Sequence, residues 1–434
     1  MTHVAVVGGG YAGMAAATTL AAQGIRVTVF EAAKQLGGRA RLVEYRSTAI
    51  DNGLHILIGA YRETLRLITL VNPNAADAIC RTPLEWRIHG EFHLAAATLP
   101  APFHLLAGFL LADGLSIREK FSAIRFLASL RACRYALDID TSVELLLDQH
   151  RQSEKLRRVL WRPLCVSALN TPPGCASARI FLNVLRDSLD GPRHASDLVL
   201  SKVDLSALFP EPAAAFIADH GGTVLRSRRV TAIDPQNDNF EVEADGKRSI
   251  FSHVICAISP HLVNAFALGI TALSEIAESI RQLRYQPIHS VWLQYPSTVR
   301  MPGPMLGLGH GLVQWVFDRE RLCGQRGMLG AVISAQGTHE DLPQHELGSR
   351  VHGELKSVVP DLPAPVWTRV IAEKRATFAC TPGLVRPSSI TPLKNFYLAG
   401  DYTASEYPAT IESAVRSGVG CARLIANAFA DGAG

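Results

Sequence analysis

Apolar positions open the chain as a short unbroken run at residues 4–7, and a second β-branched run follows at 27–30. Between them lie a glycine turn and an alanine-rich stretch at 14–23. Apolar runs of this length bounded by glycine read as buried strands, and the alanine-rich stretch reads as a helix, so the pattern predicts one βαβ unit. Helical spacing then recurs at 61–70, 141–150, 156–164 and 179–189, with one hairpin expected across His89-Gly90. The span from Tyr61 to about Leu205 is therefore read as mainly helical. After it the period shortens: a helix at 212–220 stops at Gly221-Gly222, strands follow at 223–225 and 229–233, and two more pair across Asp245-Gly246. Residues 253–258 form a further buried run. Segments 291–295, 312–317, 328–333 and 365–371 predict an antiparallel sheet. A last strand ends at Gly400-Asp401, and a helix opens at 409–411 with Glu412 in its first turn.

Candidate chemistry starts in the first turn. Gly8, Gly10 and Gly13 fill a G-x-G-x-x-G spacing where strand gives way to helix. Backbone from Gly8 through Tyr11 and Ala12 to Gly13 then approaches a pyrophosphate at the positive helix terminus. Glu31 closes the second strand where a carboxylate accepts ribose hydroxyls, which favours FAD or NAD over NADP. Further on, Asp51-Asn52-Gly53-Leu54-His55 places a glycine between an acid and a histidine, a loop suited to close approach of backbone to a ligand. The glycines at 307–311 lack a strand-to-helix context and read as a plain turn.

Composition narrows the function classes. Apolar residues make up 48% and charged residues 19%, a balance that points to an apolar substrate or a membrane surface, and a net charge of +4 is too small to argue for nucleic acid. The eight cysteines show no metal-ligand spacing, so no metal is expected and the thiols read as reduced. The sequence begins directly on a core strand, which leaves no room for a signal peptide and implies a cytoplasmic protein. Residues 99–112 are the most apolar window, too short to cross a bilayer, and residues 118–134 interleave Arg118, Lys120, Arg125, Arg131 and Arg134 with apolar positions. Two readings stay open for 99–134: a peripheral anchor on the inner face of the cytoplasmic membrane, or two helices of the substrate domain with a solvated basic face.

Gly37-Gly38-Arg39 after the βαβ unit resembles the extension that follows the glycine turn in the amine oxidase and phytoene desaturase flavoprotein superfamily. The resemblance selects FAD as cofactor and implies an α/β architecture. A Rossmann-like FAD-binding domain (parallel sheet plus β-meander) would comprise 1–60, 209–261 and 385–434, with a discontinuous α+β substrate domain at 61–208 and 262–384. It also implies that Arg39 accompanies the diphosphate and ribityl chain, that Asn52, Gly53 and His55 lie beside the flavin ring, and that Val230 makes a backbone contact at the adenine end. Gly400 and Asp401 would meet the ribityl chain, and Thr410 and Ile411 would aim a helix N-terminus at the flavin.

The runs at 51–65, 99–106, 161–172, 186–189, 398–404 and 408–418 are similar to one subgroup, the hydroxysqualene dehydroxylases, over nearly the whole chain. Leu54, where glutamine is expected, and Ser413, where many relatives have glycine, depart from its pattern. This resemblance implies reduction of a long-chain isoprenoid alcohol, hydroxysqualene, to squalene, with a general acid for which His55 is the first candidate and Glu412 and Asp401 the next. With no second nucleotide site visible, the electron donor is external and unspecified. Competing readings are a carotenoid or phytoene desaturase running hydride the other way, an amine oxidase, and a non-catalytic partner that shuttles substrate.

Overall fold

Strand His3–Val7, helix Tyr11–Ala21 and strand Arg26–Phe30 form the opening βαβ unit in a computed structural model that describes residues 2–267 and 270–431. The helix is buried along its whole length, which is why it is built from small residues with no polar face. It packs between the sheet and the long closing helix Ile411–Asp431. Contact between the two helices is backbone-close: a Cβ on Gly418 would stand 2.0 Å from the Ala12 carbonyl oxygen.

Five parallel strands make the central sheet, in the order Thr223–Leu225, Arg26–Phe30, His3–Val7, His253–Cys256, Phe396–Leu398. Its register sets Val7 beside Phe30 on one side and Cys256 on the other, so the strand ends that carry the glycine turn, Glu31 and the backbone after Cys256 open at one edge. A three-stranded antiparallel meander, Val230–Gln236, Asn239–Ala244 and Lys247–Phe251, is inserted before the fourth strand, with its second turn at Asp245-Gly246 as expected.

The second sheet has seven strands, in the order Trp367–Phe378, Tyr285–Gln294, Met328–Ser334, Trp315–Asp318, Met305–Gly307, Glu85–Ile88, Phe92–Ala95. Here the structure differs from the sequence pattern. The hairpin at 85–95 does not stand among helices; it extends the later sheet through a parallel contact of Ile88 with Gly307. Residues 61–208 also hold two strands that periodicity missed, Ile79–Thr82 and Leu198–Ser201; with Ile56–Ile58 they make a small antiparallel sheet in which Leu198–Ser201 is the central strand and pairs with both of the others. At four residues or fewer, such strands are too short to show a period.

Helices Phe103–Leu111, Ile117–Ala132, Arg162–Leu169 and Ala178–Leu189 share a hydrophobic core with strands Glu85–Ile88 and Phe92–Ala95 of the seven-stranded sheet. Phe126 and Leu130 turn inward, Phe126 meeting Trp161 edge to face at 5.1 Å. The apolar stripe of the basic helix is therefore mostly core. Arg157 and Arg162 pair with Glu144, Asp148 and Glu154, and Arg158 with Glu91. These arginines fasten helices to one another.

Candidate active site

At the glycine turn, Gly8 adopts φ +112°, and a Cβ there would stand 2.6 Å from the Ala257 carbonyl oxygen. Gly13 faces away from the open space and lets helix and strand close up, its would-be Cβ only 1.9 Å from the Gly8 carbonyl oxygen. Gly10 caps the helix with no side chain across its amides, so the leading N–H groups face the cavity beside Gly37 and Gly38. Glu31 accepts hydrogen bonds from the Gly9 N–H at 2.6 Å and the Ala33 N–H at 2.7 Å. Glu31, Arg228, Arg229 and Val230 line this end of the cavity.

The opposite wall comes from the last part of the chain. Arg39 donates to Asp401 Oδ1 at 2.6 Å and to the Ala376 carbonyl at 2.6 Å, which joins the two distant signatures read in the sequence. Thr410 and Ser413 exchange bonds at the start of the closing helix: Thr410 Oγ1 accepts from the Ser413 N–H at 3.2 Å, and Ser413 Oγ accepts from the Thr410 N–H at 3.1 Å. Ser413 thus serves the cap. Glu412 borders the cavity with its carboxylate committed to other partners: it accepts from the Glu63 and Thr64 N–H groups and the Thr64 hydroxyl, and pairs with Arg416 at 2.7 Å. Its charge holds the N-terminus of helix Arg62–Val71.

Asn52 and Gly53 line the cavity, and Asn52 Nδ2 donates to the Arg39 carbonyl at 3.1 Å. His55 lies on the same wall with Nδ1 2.8 Å from the Gly53 carbonyl. Burial, helped by Arg39, holds His55 below the ordinary histidine range against the pull of that carbonyl. A neutral ring donating from Nδ1 leaves Nε2 as an acceptor, so the resting His55 is poorly suited to give up a proton. Beneath this loop Asp51 is buried; its Oδ1 accepts from the Leu205 N–H at 2.8 Å and Oδ2 lies 3.8 Å from Arg319. Burial pushes its carboxyl up to about 6.

All these walls enclose one cavity of about 780 Å³, at the upper end of ordinary ligand pockets. From the glycine turn it runs into an apolar chamber walled by Leu84, Trp86, Leu105, Phe109, Leu160 and Trp161. Trp86 meets Trp315 edge to face at 4.7 Å, and Trp315 donates to Ser167 Oγ at 2.8 Å, so the aromatic wall is rigid. The chamber residues lie on helices and strands far apart in sequence, and no local motif marks them. Residues 161–172, a run singled out in the sequence, contribute Trp161, Leu164, Ser167, Ala168 and Asn170.

Two observations test the site against a flavin nucleotide. The glycine cradle leaves space against helix amides where side chains would intrude. In addition, Arg39 brings a guanidinium, anchored on Asp401, to the cavity wall beside Gly37 and Gly38, a donor set suited to a diphosphate. The residues present fit.

The family model described as flavin containing amine oxidoreductase matches residues 11–426. A hydroxysqualene dehydroxylase of Rhodopseudomonas palustris is 29% identical, covering 97% of this chain and 98% of the relative, and one of Sinorhizobium fredii is 28% identical, covering 96% of each. A zeta-carotene desaturase of Zea mays is 24% identical over 96% of this chain and 82% of its own. Among solved structures, the cyclohexylamine oxidase of Brevibacterium oxydans superposes with a TM-score of 0.71 at 18% identity, covering 99% of both chains, a likeness of fold. From the glycine turn to the capped closing helix, the chain belongs to the flavin containing amine oxidoreductase family and is a flavin-dependent oxidoreductase.

Proposed function

We propose that the protein binds FAD and reduces an allylic C30 alcohol, hydroxysqualene, to squalene with loss of water. The observation that carries this reading is the continuity of the dinucleotide cradle with a long apolar chamber in one cavity. Glu31, positioned for an unphosphorylated ribose, and the Arg39–Asp401 pair would hold the nucleotide. Bound in its reduced form, the flavin supplies the hydride. The chain's part is to bind the hydrocarbon, exclude water and hold the hydroxyl-bearing carbon in place. Leu105, Phe109, Trp86 and Trp161 do the first two by removing apolar surface from water, at roughly 25 cal/mol per Å². Electrons would come from an external donor.

The same reading places the enzyme against a membrane. Helix Phe103–Leu111 has two faces: Leu105 and Phe109 line the chamber, whereas Phe103, Leu106, Leu110 and Leu111 are exposed, Leu111 at 76%. Ile117 and Phe121 extend this apolar surface, and Arg118 and Arg125 stand exposed beside it, a combination suited to an anionic bilayer. No helix of the described residues is long and apolar enough to cross a membrane, so contact would be peripheral.

Anaerobic incubation of the photoreduced protein with hydroxysqualene, following flavin absorbance and product mass together, tests the reaction. Reoxidation of the flavin with formation of squalene is expected. Oxidised protein that instead desaturates an added hydrocarbon would favour the desaturase reading, and reduced flavin left unchanged by hydroxysqualene would overturn the proposal.

A further inference from the structure

The apolar chamber contains few polar side chains, and most of them spend their hydrogen bonds inside the protein. Asn170 donates to the Pro287 carbonyl and Thr377 Oγ1 and accepts from the Ala335 N–H. Ser188 donates to the Val184 carbonyl at 2.6 Å and Ser196 to the Arg193 carbonyl at 3.0 Å. Asp187 is different. It lines the cavity from helix Ala178–Leu189 between the wall residues Val184 and Leu189. Its Oδ2 accepts from the Tyr407 hydroxyl at 2.5 Å and its Oδ1 from Arg186 Nε at 2.8 Å. A carboxylate offers about four acceptor positions, so acceptor capacity remains on both oxygens.

The location of this carboxylate matters as much as its capacity. Tyr407 also lines the cavity and belongs to the segment that leads through Pro408, Ala409 and Thr410 into the closing helix. Arg416 donates to the Tyr407 oxygen at 3.0 Å and lies over its ring at 4.6 Å, while also holding Glu412. Tyr407 is thereby fixed from one side by the cofactor half of the molecule and fixes Asp187 on the other. An oriented acceptor thus stands where the dinucleotide region meets the hydrocarbon chamber.

We propose that Asp187 is the group that recognises the substrate's hydroxyl, accepting a hydrogen bond from it, with Tyr407 as a positioning residue for the carboxylate. The inference rests on the reading of the substrate as a long-chain allylic alcohol. It explains how an apolar chamber tells the alcohol from the hydrocarbon it becomes: only the alcohol can add a donor to the spare acceptor positions of this largely buried carboxylate, and a site built to bond a hydroxyl discriminates against the analogue without one.

Equilibrium partitioning tests this with the oxidised flavoprotein, which has no hydride to give and so does not consume the alcohol. Protein is equilibrated with detergent micelles carrying either hydroxysqualene or squalene, and the retained terpenoid is measured by mass. The wild type should prefer the alcohol by roughly tenfold or more. The preference should fall in the order wild type, Asp187→Asn, Asp187→Leu, with Tyr407→Phe lowering it in part. Squalene retention and flavin absorbance should stay constant across the series, a pattern that a merely structural role for either residue would not give. An alcohol preference that is the same in all four proteins overturns the assignment of Asp187 while leaving the proposed function standing. Failure of the wild type to retain either terpenoid overturns both.

Discussion

Asp51 offers a prediction whose sign runs against ordinary acid denaturation. Its carboxyl is raised by burial from 3.8 to about 6, outweighing the Leu205 N–H and the neighbouring Arg319, which both favour the ionised form. A carboxyl raised on folding binds its proton more tightly in the native state, so its contribution to stability is complete below about pH 3.8 and is lost as pH rises through about 6. The full gap corresponds to about 3 kcal/mol, of which about 2 kcal/mol falls between pH 4.5 and pH 8. Unfolding a chain of 434 residues carries an entropy of roughly 0.9 kcal/mol per kelvin, so the effect amounts to about 2 °C in melting temperature. Asp51→Asn keeps an acceptor for the Leu205 N–H and removes the titration. Melting curves recorded across this pH range at fixed flavin concentration should therefore converge toward pH 4.5 and separate toward pH 8, with the variant the more stable at high pH. Parallel curves would refute the argument, because they would mean that the native and unfolded states hold this proton equally well.

Two further outcomes follow from packing and from the surface. Gly418→Ala should destabilise by about 1–3 kcal/mol and weaken flavin retention, because its new methyl meets the Ala12 carbonyl; Gly420→Ala, with nothing within 4 Å, should be neutral or stabilising, and equal melting temperatures for the two would count against the close helix contact. Phe103→Ser combined with Leu111→Ser should abolish flotation with anionic vesicles while leaving thermal unfolding unchanged, and a doubly substituted protein that still floats would rule out this face as the membrane contact.

How much of this was legible beforehand depended on the range of the physics involved. The βαβ unit, the Asp245-Gly246 turn and the closing strand and helix are set by local constraints such as glycine geometry, strand period and caps, and they appear where the sequence puts them. Arg39 and Asp401 each carried a signal, but only folding shows that they bond. Ile79–Thr82 and Leu198–Ser201 left no trace because a strand of four residues acquires its character from its partners. The basic helix misled in part: Phe126 and Leu130 face the core, and the exposed apolar surface is carried instead by Phe103–Leu111 and the start of the next helix. His55 was legible as a cavity residue, but its protonation is a property of burial and of the Gly53 carbonyl, which a sequence does not display. Asp187 and Tyr407 drew no notice as a pair, since nothing in the residues between them says that they meet.

The tie between Arg39 and Asp401 spans 362 positions of the chain. Because a ribosome delivers the first of these long before the second, the flavin has no complete binding place until both have been made. The opening βαβ unit must wait, half-walled, until Phe396–Leu398 takes the sheet edge and Ile411–Asp431 lies down on the first helix. Cofactor loading therefore waits for residues 396–431, and a polypeptide truncated shortly before residue 396 would carry the whole glycine fingerprint and still emerge without pigment.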